Sequence, residues 1–100
     1  MKRWSRGLGK VRLEKGWPNW WNWELGFTAH LEVRMEERGF SEVELRTMLD
    51  DASKLVPARR SGRWLIHTRH AGHPWFVVVE PDLDDRILMI VTAYPVEVSP

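Results

Sequence analysis

Residues 63–94, RWLIHTRHAGHPWFVVVEPDLDDRILMIVTAY, decide the fold of this chain. Within them, residues 63–68, 75–80 and 86–94 are rich in β-branched and aromatic side chains, and turn-forming residues separate the three segments. This spacing predicts a three-stranded antiparallel meander.

Alternation along these segments assigns side chains to the two faces of the sheet. In the first segment Trp64 and Ile66 fall on one face, whereas Arg63, His67 and Arg69 fall on the other. The two later segments are apolar on both faces. We therefore expect their strands to be central in the sheet or covered on both sides.

A strand and a helix are predicted before the meander. Residues 20–25 alternate weakly between apolar and polar side chains, which favours a first strand. The helix is expected over residues 29–38, because Thr28 is a suitable N-cap and Gly39 can take the left-handed conformation that ends a helix.

A second helix begins at the clearest local signal in the chain. Ser41 and Glu44 have the spacing of a capping box, and an apolar face continues from there as far as Pro57. The predicted order is β-α-α-β-β-β, an α+β fold with two helices packed on an antiparallel sheet.

The composition is that of one small globular domain. A chain of 100 residues has too much surface for two cores, and its 43% hydrophobic and 29% charged residues are unlike a disordered or coiled-coil chain. It contains no cysteine, which excludes disulfides and thiolate metal sites. Because no apolar stretch is long enough to span a membrane and no signal peptide is recognisable, we expect a cytoplasmic protein without a membrane partner.

The N-terminal part differs from the rest. The formal net charge is +1, yet residues 1–15 carry six basic side chains and one acidic side chain. We interpret residues 1–19 as a basic, tryptophan-containing arm, residues 20–96 as the folded domain and residues 97–100 as a tail. Basic residues beside aromatic ones favour single-stranded nucleic acid, and packing in the core or an interface is the alternative for at least two of the tryptophans. Four of the seven tryptophans follow the basic stretch: Trp17, Trp20, Trp21 and Trp23.

Three side chains on the first helix form a stripe. His30, Arg34 and Arg38 are four residues apart, so they share one helical face. An imidazole beside two guanidinium groups could exchange protons and bind phosphate. The alternative is a solvated face whose arginines pair with nearby acids.

Histidines recur at every third position around the first turn of the meander. His67, His70 and His73 invite a zinc hypothesis, since neutral imidazole is a good ligand. Extended residues would place His67 and His70 on opposite faces, and no sulfur or acidic ligand is near in sequence. We therefore expect no metal, and His67 is instead a candidate acid or base.

Three segments resemble a bacterial family. Residues 30–41 (HLEVRMEERGFS), the strand over 75–80 and the ending VTAY at 91–94 are similar to the domain of unknown function numbered forty-two fifty-eight, which resembles the BrnT and RelE ribonuclease toxins. The resemblance covers roughly residues 20–96.

The resemblance implies a RelE-like sheet with two helices before the meander. It places the family's helix histidine at His30, its arginines at Arg34 and Arg38, and its final-strand positions at Thr92 and Tyr94. It also implies RNA and a cognate antitoxin as partners, and cleavage without a metal.

Two functions are open at this point. The first is a metal-independent endoribonuclease of toxin–antitoxin type, which cleaves RNA by acid–base transesterification and needs no cofactor. The second is a non-catalytic module that binds RNA or protein through the tryptophan-rich edge and the basic arm. The candidate catalytic residues are His30, His67, Arg34, Arg38 and Arg69, and the candidate substrate-binding residues are Thr92, Tyr94, Trp20, Trp21 and Arg63.

Overall fold

A computed structural model describes residues 17–97, in which two α-helices pack on a five-stranded mixed sheet. The strand order across the sheet is β1-β5-β4-β3-β2. In chain order the elements are a 3-10 helix (Asn19–Asn22), β1 (Glu24–Phe27), α1 (Ala29–Arg38), α2 (Glu42–Asp50), β2 (Lys54–Pro57), β3 (Trp64–His70), β4 (His73–Asp82) and β5 (Ile87–Pro95).

The predicted meander is confirmed. Strand β4 pairs antiparallel with both β3 and β5, and a β-bulge interrupts its register with β5 between Val78 and Val79. Both β4 and β5 are central strands, as their apolar residues on both faces predicted. Turns with left-handed residues at Ala71 and Gly72 connect β3 to β4.

The prediction of a wholly antiparallel sheet is wrong for one pair of strands. Strand β1 lies beside β5 and runs parallel to it, from Glu24 opposite Ile87 to Phe27 opposite Ile90. Both helices and three strands separate these partners in the chain. No local signal specifies such a distant pairing.

The first strand also begins later than predicted. Residues Asn19–Asn22 form a 3-10 helix after Pro18, and the strand follows at Glu24. Trp20 and Trp21 are 8% and 1% exposed. Two consecutive buried side chains do not fit an edge strand with one buried face, whereas a tight helical turn can direct both into the core.

The predicted caps that begin both helices and the predicted cap that ends α1 are confirmed. Thr28 accepts a hydrogen bond from the Leu31 amide at 3.0 Å, and Gly39 has a φ of 70° at the end of α1. Ser41 and Glu44 form both bonds of a capping box at the start of α2. Helix α1 spans the predicted residues 29–38.

The predicted end of the second helix is wrong. Helix α2 ends at Asp50, and residues Lys54–Pro57 form the edge strand β2, which pairs antiparallel with β3. Leu55 lies opposite Ile66 in this ladder. Pro57 disfavours a helical conformation at Val56, so the proline ends a strand here instead of a helix.

The core lies between the helices and one face of the sheet. Leu31 from α1 and Leu45 and Leu49 from α2 are fully buried there. The sheet contributes the side chains of Ile66, Val77, Val79, Leu88, Ile90 and Ala93. Among residues 17–97, no helix is long and apolar enough to cross a membrane.

Candidate nucleic-acid interface

The sheet has a second face, which points away from both helices. We call it the open face, because no helix described between residues 17 and 97 packs on it. Its side chains alternate with the buried ones along each central strand and are half-buried. The open face includes Leu65 and His67 from β3, Phe76 and Val78 from β4, and Met89, Thr92 and Tyr94 from β5.

Three rings form a row across the open face. His67 lies opposite Phe76, and Phe76 lies opposite Tyr94, in adjacent strands. The ring centroids of His67 and Phe76 are 4.8 Å apart, and those of Phe76 and Tyr94 are 5.7 Å apart. Both pairs meet edge to face, the arrangement that aromatic quadrupoles favour.

Helix α1 lies along the outer edge of β5, where β1 no longer covers that strand. The Thr28 hydroxyl donates to the Val91 carbonyl at 2.9 Å, and Nη1 of Arg38 donates to the Ala93 carbonyl at 3.1 Å. These bonds satisfy carbonyls that an unprotected edge would expose to strand addition. They also fix where the Arg38 guanidinium lies.

An open groove of about 550 Å³ adjoins one end of the aromatic row. Arg38 lines it together with Phe76 and Tyr94. The segment after β5, Pro95 to Glu97, forms the remaining wall, and the Val96 amide donates to the Pro74 carbonyl at 3.0 Å, which anchors this segment against β4. The groove therefore joins a cationic side chain to two aromatic rings.

Two further candidate arginines lie near the ends of β3, Arg63 directly before the strand and Arg69 one residue before its end. Nε of Arg63 donates to Oε1 of Glu80 at 2.9 Å, which makes a partly exposed ion pair. Nη2 of Arg69 donates to the Gly72 carbonyl at 2.8 Å in the β3–β4 turn. Arg69 also lines a smaller groove of about 270 Å³ together with Glu44 of α2 and Asp51, the residue that follows this helix. Neither arginine lines the groove that Arg38 lines.

His30 and Arg34 lie on α1 and not on the open face. His30 is exposed in the first turn of the helix. Arg34 is partly exposed and pairs with Glu37 at 2.5 Å, as the solvated-face alternative expected. Two strand spacings, about 10 Å, separate β5, on which α1 packs, from the strand that carries His67. The structure brings His67, Thr92 and Tyr94 to one face and leaves His30 apart from them.

His67 and His70 point to opposite faces, as the alternation predicted. His67 contacts Phe76 on the open face, whereas His70 contacts Phe40 and Trp75 on the face that the helices cover. In the part of the chain that the structure describes, no three histidine, cysteine or acidic residues are grouped so as to hold a metal.

Trp20 and Trp21 belong to the core. Trp20 packs against Trp64 at a ring-centroid distance of 5.7 Å, and Trp17 packs against Trp21 at 4.6 Å. Their rings are therefore not available to stack on bases, and the packing alternative describes these two residues. The basic residues of 1–15 lie outside the described residues.

Sequence reasoning missed Phe76 and the groove. Phe76 lies on the face opposite Val77, because strand residues alternate, but its neighbours depend on the register of β4 with β3 and β5. Alternation places His67 of β3 and Tyr94 of β5 on the same face as Phe76. If the register of the strands had been known, this alternation would have predicted the row of rings.

Comparison with family models, with curated proteins and with solved structures found no match to this chain.

Proposed function

We propose that this protein binds single-stranded RNA on its open face, with bases stacked on the aromatic row and phosphates held by Arg38. One observation carries the proposal: three half-buried rings lie in line on a face that no described helix covers, and the line ends at a groove with an arginine. Sheets with exposed aromatic rings are a recurrent platform for unpaired bases.

The chemistry of these side chains suits an RNA strand better than a duplex. Aromatic rings contribute about 1–3 kcal/mol per stacked base, and they require bases that are free to leave their own stack. Arg38 has five N–H donors, of which the Ala93 carbonyl takes one from Nη1. The remaining donors can form the paired bonds that guanidinium groups make with phosphate oxygens.

Fluorescence anisotropy with a labelled single-stranded RNA of mixed sequence tests this proposal. Phe76→Ala should raise Kd by about 5- to 150-fold, the factor that corresponds to one lost stacking contact. Arg38→Gln should raise Kd and weaken its dependence on salt, since one phosphate contact is lost. Arg59→Gln is the matched control, because Arg59 is exposed in the segment between β2 and β3 and does not line the groove.

Cross-strand ring pairs also stabilise sheets, so the same variants must be checked for folding. Circular dichroism should show that Phe76→Ala keeps its secondary structure at the temperature of the binding assay. A folded Phe76→Ala that binds RNA as tightly as the parent protein would overturn the proposal. The proposal would also be overturned if a peptide or protein bound to the open face and RNA did not bind to it.

RNA cleavage is a second candidate function, because His67 and Tyr94 share the open face with the groove of Arg38. In transesterification a base takes the proton of the 2′-hydroxyl, the 2′-oxygen attacks phosphorus, and an acid protonates the departing 5′-oxygen. His67 is the candidate acid or base, and Arg38 can stabilise the charge that builds up on the phosphoryl oxygens. RNA cleavage is the function that the resemblance to the toxin family implies. With it the resemblance implies a RelE-like architecture and a cognate antitoxin as a partner.

Incubation with total RNA, with and without a chelator, tests for cleavage. His67→Ala should slow cleavage by about 100- to 10,000-fold, the usual contribution of a general acid or base. His30→Ala, an exposed histidine on α1, should leave the rate within a small factor of the parent. If His30→Ala slowed cleavage and His67→Ala did not, His30 would be the proton carrier. If the RNA stayed intact in every reaction, RNA binding would be the only function left of the two.

A further inference from the structure

Two side chains of opposite charge line the groove beside the aromatic row. Arg38 and Glu97 both line it, and among residues 17–97 no ion pair within 4.0 Å joins them. Arg38 donates to a backbone carbonyl, and Glu97 is exposed. Both charged groups are therefore available to a ligand in the groove.

A carboxylate is an unexpected neighbour for RNA. Phosphates repel it, so an acidic side chain in an RNA site weakens binding unless the ligand offers it hydrogen-bond donors. Bases are the part of RNA that carries such donors, on their Watson–Crick edges. Among the four bases only guanine presents two adjacent donors there, N1–H and the N2 amino group, which match the two oxygens of one carboxylate.

We infer that this groove selects an unpaired guanine nucleotide, with Glu97 reading the N1–H and N2 amino donors, a ring of Phe76 or Tyr94 stacking on the base and Arg38 holding a phosphate. The inference rests on the proposed function, since it names the nucleotide that the RNA site prefers. The groove of about 550 Å³ lies within the range of about 300–1,000 Å³ that small-molecule sites occupy.

The backbone supports this arrangement. Glu97 follows directly after Val96, whose amide donates to the Pro74 carbonyl at 3.0 Å. That bond extends the contact between the end of β5 and the start of β4 beyond the last residue of the strand. The carboxylate is thus attached to an anchored segment and lines the same groove as Tyr94, as a base-reading group needs to do.

Four RNAs of about ten nucleotides, the size of a typical single-strand site, test the inference. Each is a run of uridines whose central position holds guanosine, inosine, adenosine or uridine, and anisotropy gives the Kd of the full chain for each. The RNA with a central guanosine should bind about 5- to 150-fold more tightly than the RNA with a central adenosine, which is the discrimination expected for a base contact of two hydrogen bonds. Inosine keeps N1–H but lacks the N2 amino group, so its Kd should fall between those of guanosine and adenosine.

The variant that decides the matter is Glu97→Gln, which keeps the size of the side chain but loses one acceptor and the charge. It should abolish the preference for guanosine while the uridine RNA still binds at least as tightly as to the parent protein. Glu36→Gln, an exposed residue of α1 that does not line the groove, is the matched control and should keep the preference.

The possible failures are distinguishable. Equal Kd values for all four RNAs would overturn the guanine inference and leave RNA binding intact. A guanosine preference that persists in Glu97→Gln would remove Glu97 as its reader and overturn the inference as well. No binding of any RNA would overturn the proposed function and the inference with it.

Discussion

The two faces of the sheet are built from the same strands, yet they differ in what lies above them. On the face that the helices cover, Ile66, Val77 and Leu88 are fully buried. On the open face Leu65 and Val78, the immediate neighbours of two of these residues, keep part of their surface exposed. The sequence of β4 is apolar on both sides. The difference shows that apolar composition does not by itself separate a core face from a binding face, because a second layer of structure decides which one is sealed.

The faces also differ in how their polar groups are used. On the covered face the Thr68 hydroxyl is buried and donates to the Met48 carbonyl of α2. On the open face His67 and Tyr94 keep their polar atoms near solvent, and no hydrogen bond of the described chain engages these two side chains. Groups without internal partners remain available to a ligand, and this availability is what makes the open face the candidate interface.

The largest expected contrast comes from adjacent residues of β3. Ile66→Ala should lower the free energy of unfolding by about 2–5 kcal/mol, because it leaves a cavity in the covered face. Leu65→Ala, on the open face, should lower it by only about 1 kcal/mol, since less of that side chain leaves water on folding. Urea denaturation measures both. Equal losses would mean that the open face is as well packed as the core.

Gly26 of β1 tests whether the open face is tightly packed where β1 meets β5. A Cβ at Gly26 would lie 2.6 Å from Sδ of Met89 and 2.9 Å from Cγ2 of Ile87, across the parallel pair β1–β5. Gly26→Ala should therefore lower the free energy of unfolding by about 1–3 kcal/mol. Combining it with Met89→Ala should recover part of the loss, as measured by urea denaturation. If Gly26→Ala were as stable as the parent protein, the side chains around Gly26 would be loosely packed.

A pair of threonines compares the polar groups of the two faces. Thr68→Val removes the bond to α2 and should lower the free energy of unfolding by about 1 kcal/mol. The Met48 carbonyl keeps a partner in the Asp51 amide, at 3.2 Å, so no acceptor is left unsatisfied. Thr92→Val on the open face is the control and should change stability by less than about 0.5 kcal/mol. A greater loss for Thr92→Val would assign its hydroxyl a structural role.

The smallest expected effect concerns the cap of the helix that covers β3. The Ser41 amide donates to the Glu44 carboxylate at 2.8 Å and lowers the pKa of Glu44 below its ordinary value of 4.5, with further lowering from the Ser41 side chain and from His70. Because the folded-state pKa is lowered, the stabilisation is present above the unfolded-state value and is lost as the pH falls through the folded-state value. Thermal unfolding of Glu44→Gln, which can keep a capping box, should show a slightly lower Tm than the parent protein near neutral pH.

At a pH well below 4.5 the two Tm values should converge, since the parent carboxylate is then protonated. A difference that grows as the pH falls would contradict this account.

The local parts of the fold were predictable from the chain. The N-cap at Thr28, the end of α1 at Gly39 and the capping box of Ser41 and Glu44 each depend on residues no more than a few positions apart. The meander was predictable for a similar reason, because its strands follow one another through short turns. Pro57 was misread because a proline ends a helix and a strand equally well, and only the ladder with β3 settles the matter.

The candidate site was less predictable than the fold. Alternation correctly assigned His67 to the face opposite Ile66, but the contacts of His67 with Phe76, and of Phe76 with Tyr94, depend on register. The helical spacing of His30, Arg34 and Arg38 correctly predicted a shared stripe. The spacing could not show that Arg38 donates to the carbonyl of Ala93 whereas Arg34 pairs with Glu37.

The sequence alone therefore determined α1, the start of α2, the meander and the side on which each meander residue points, because caps, turns and alternation depend on near neighbours in the chain. The tertiary structure decided the parallel pairing of β1 with β5, the burial of Trp20 and Trp21, the sheet face that no helix of residues 17–97 covers, and the groove of Arg38 and Glu97. Each of these features depends on contacts between segments that are distant in the chain, and the free energy of such contacts is set by register and by the layer that packs above them.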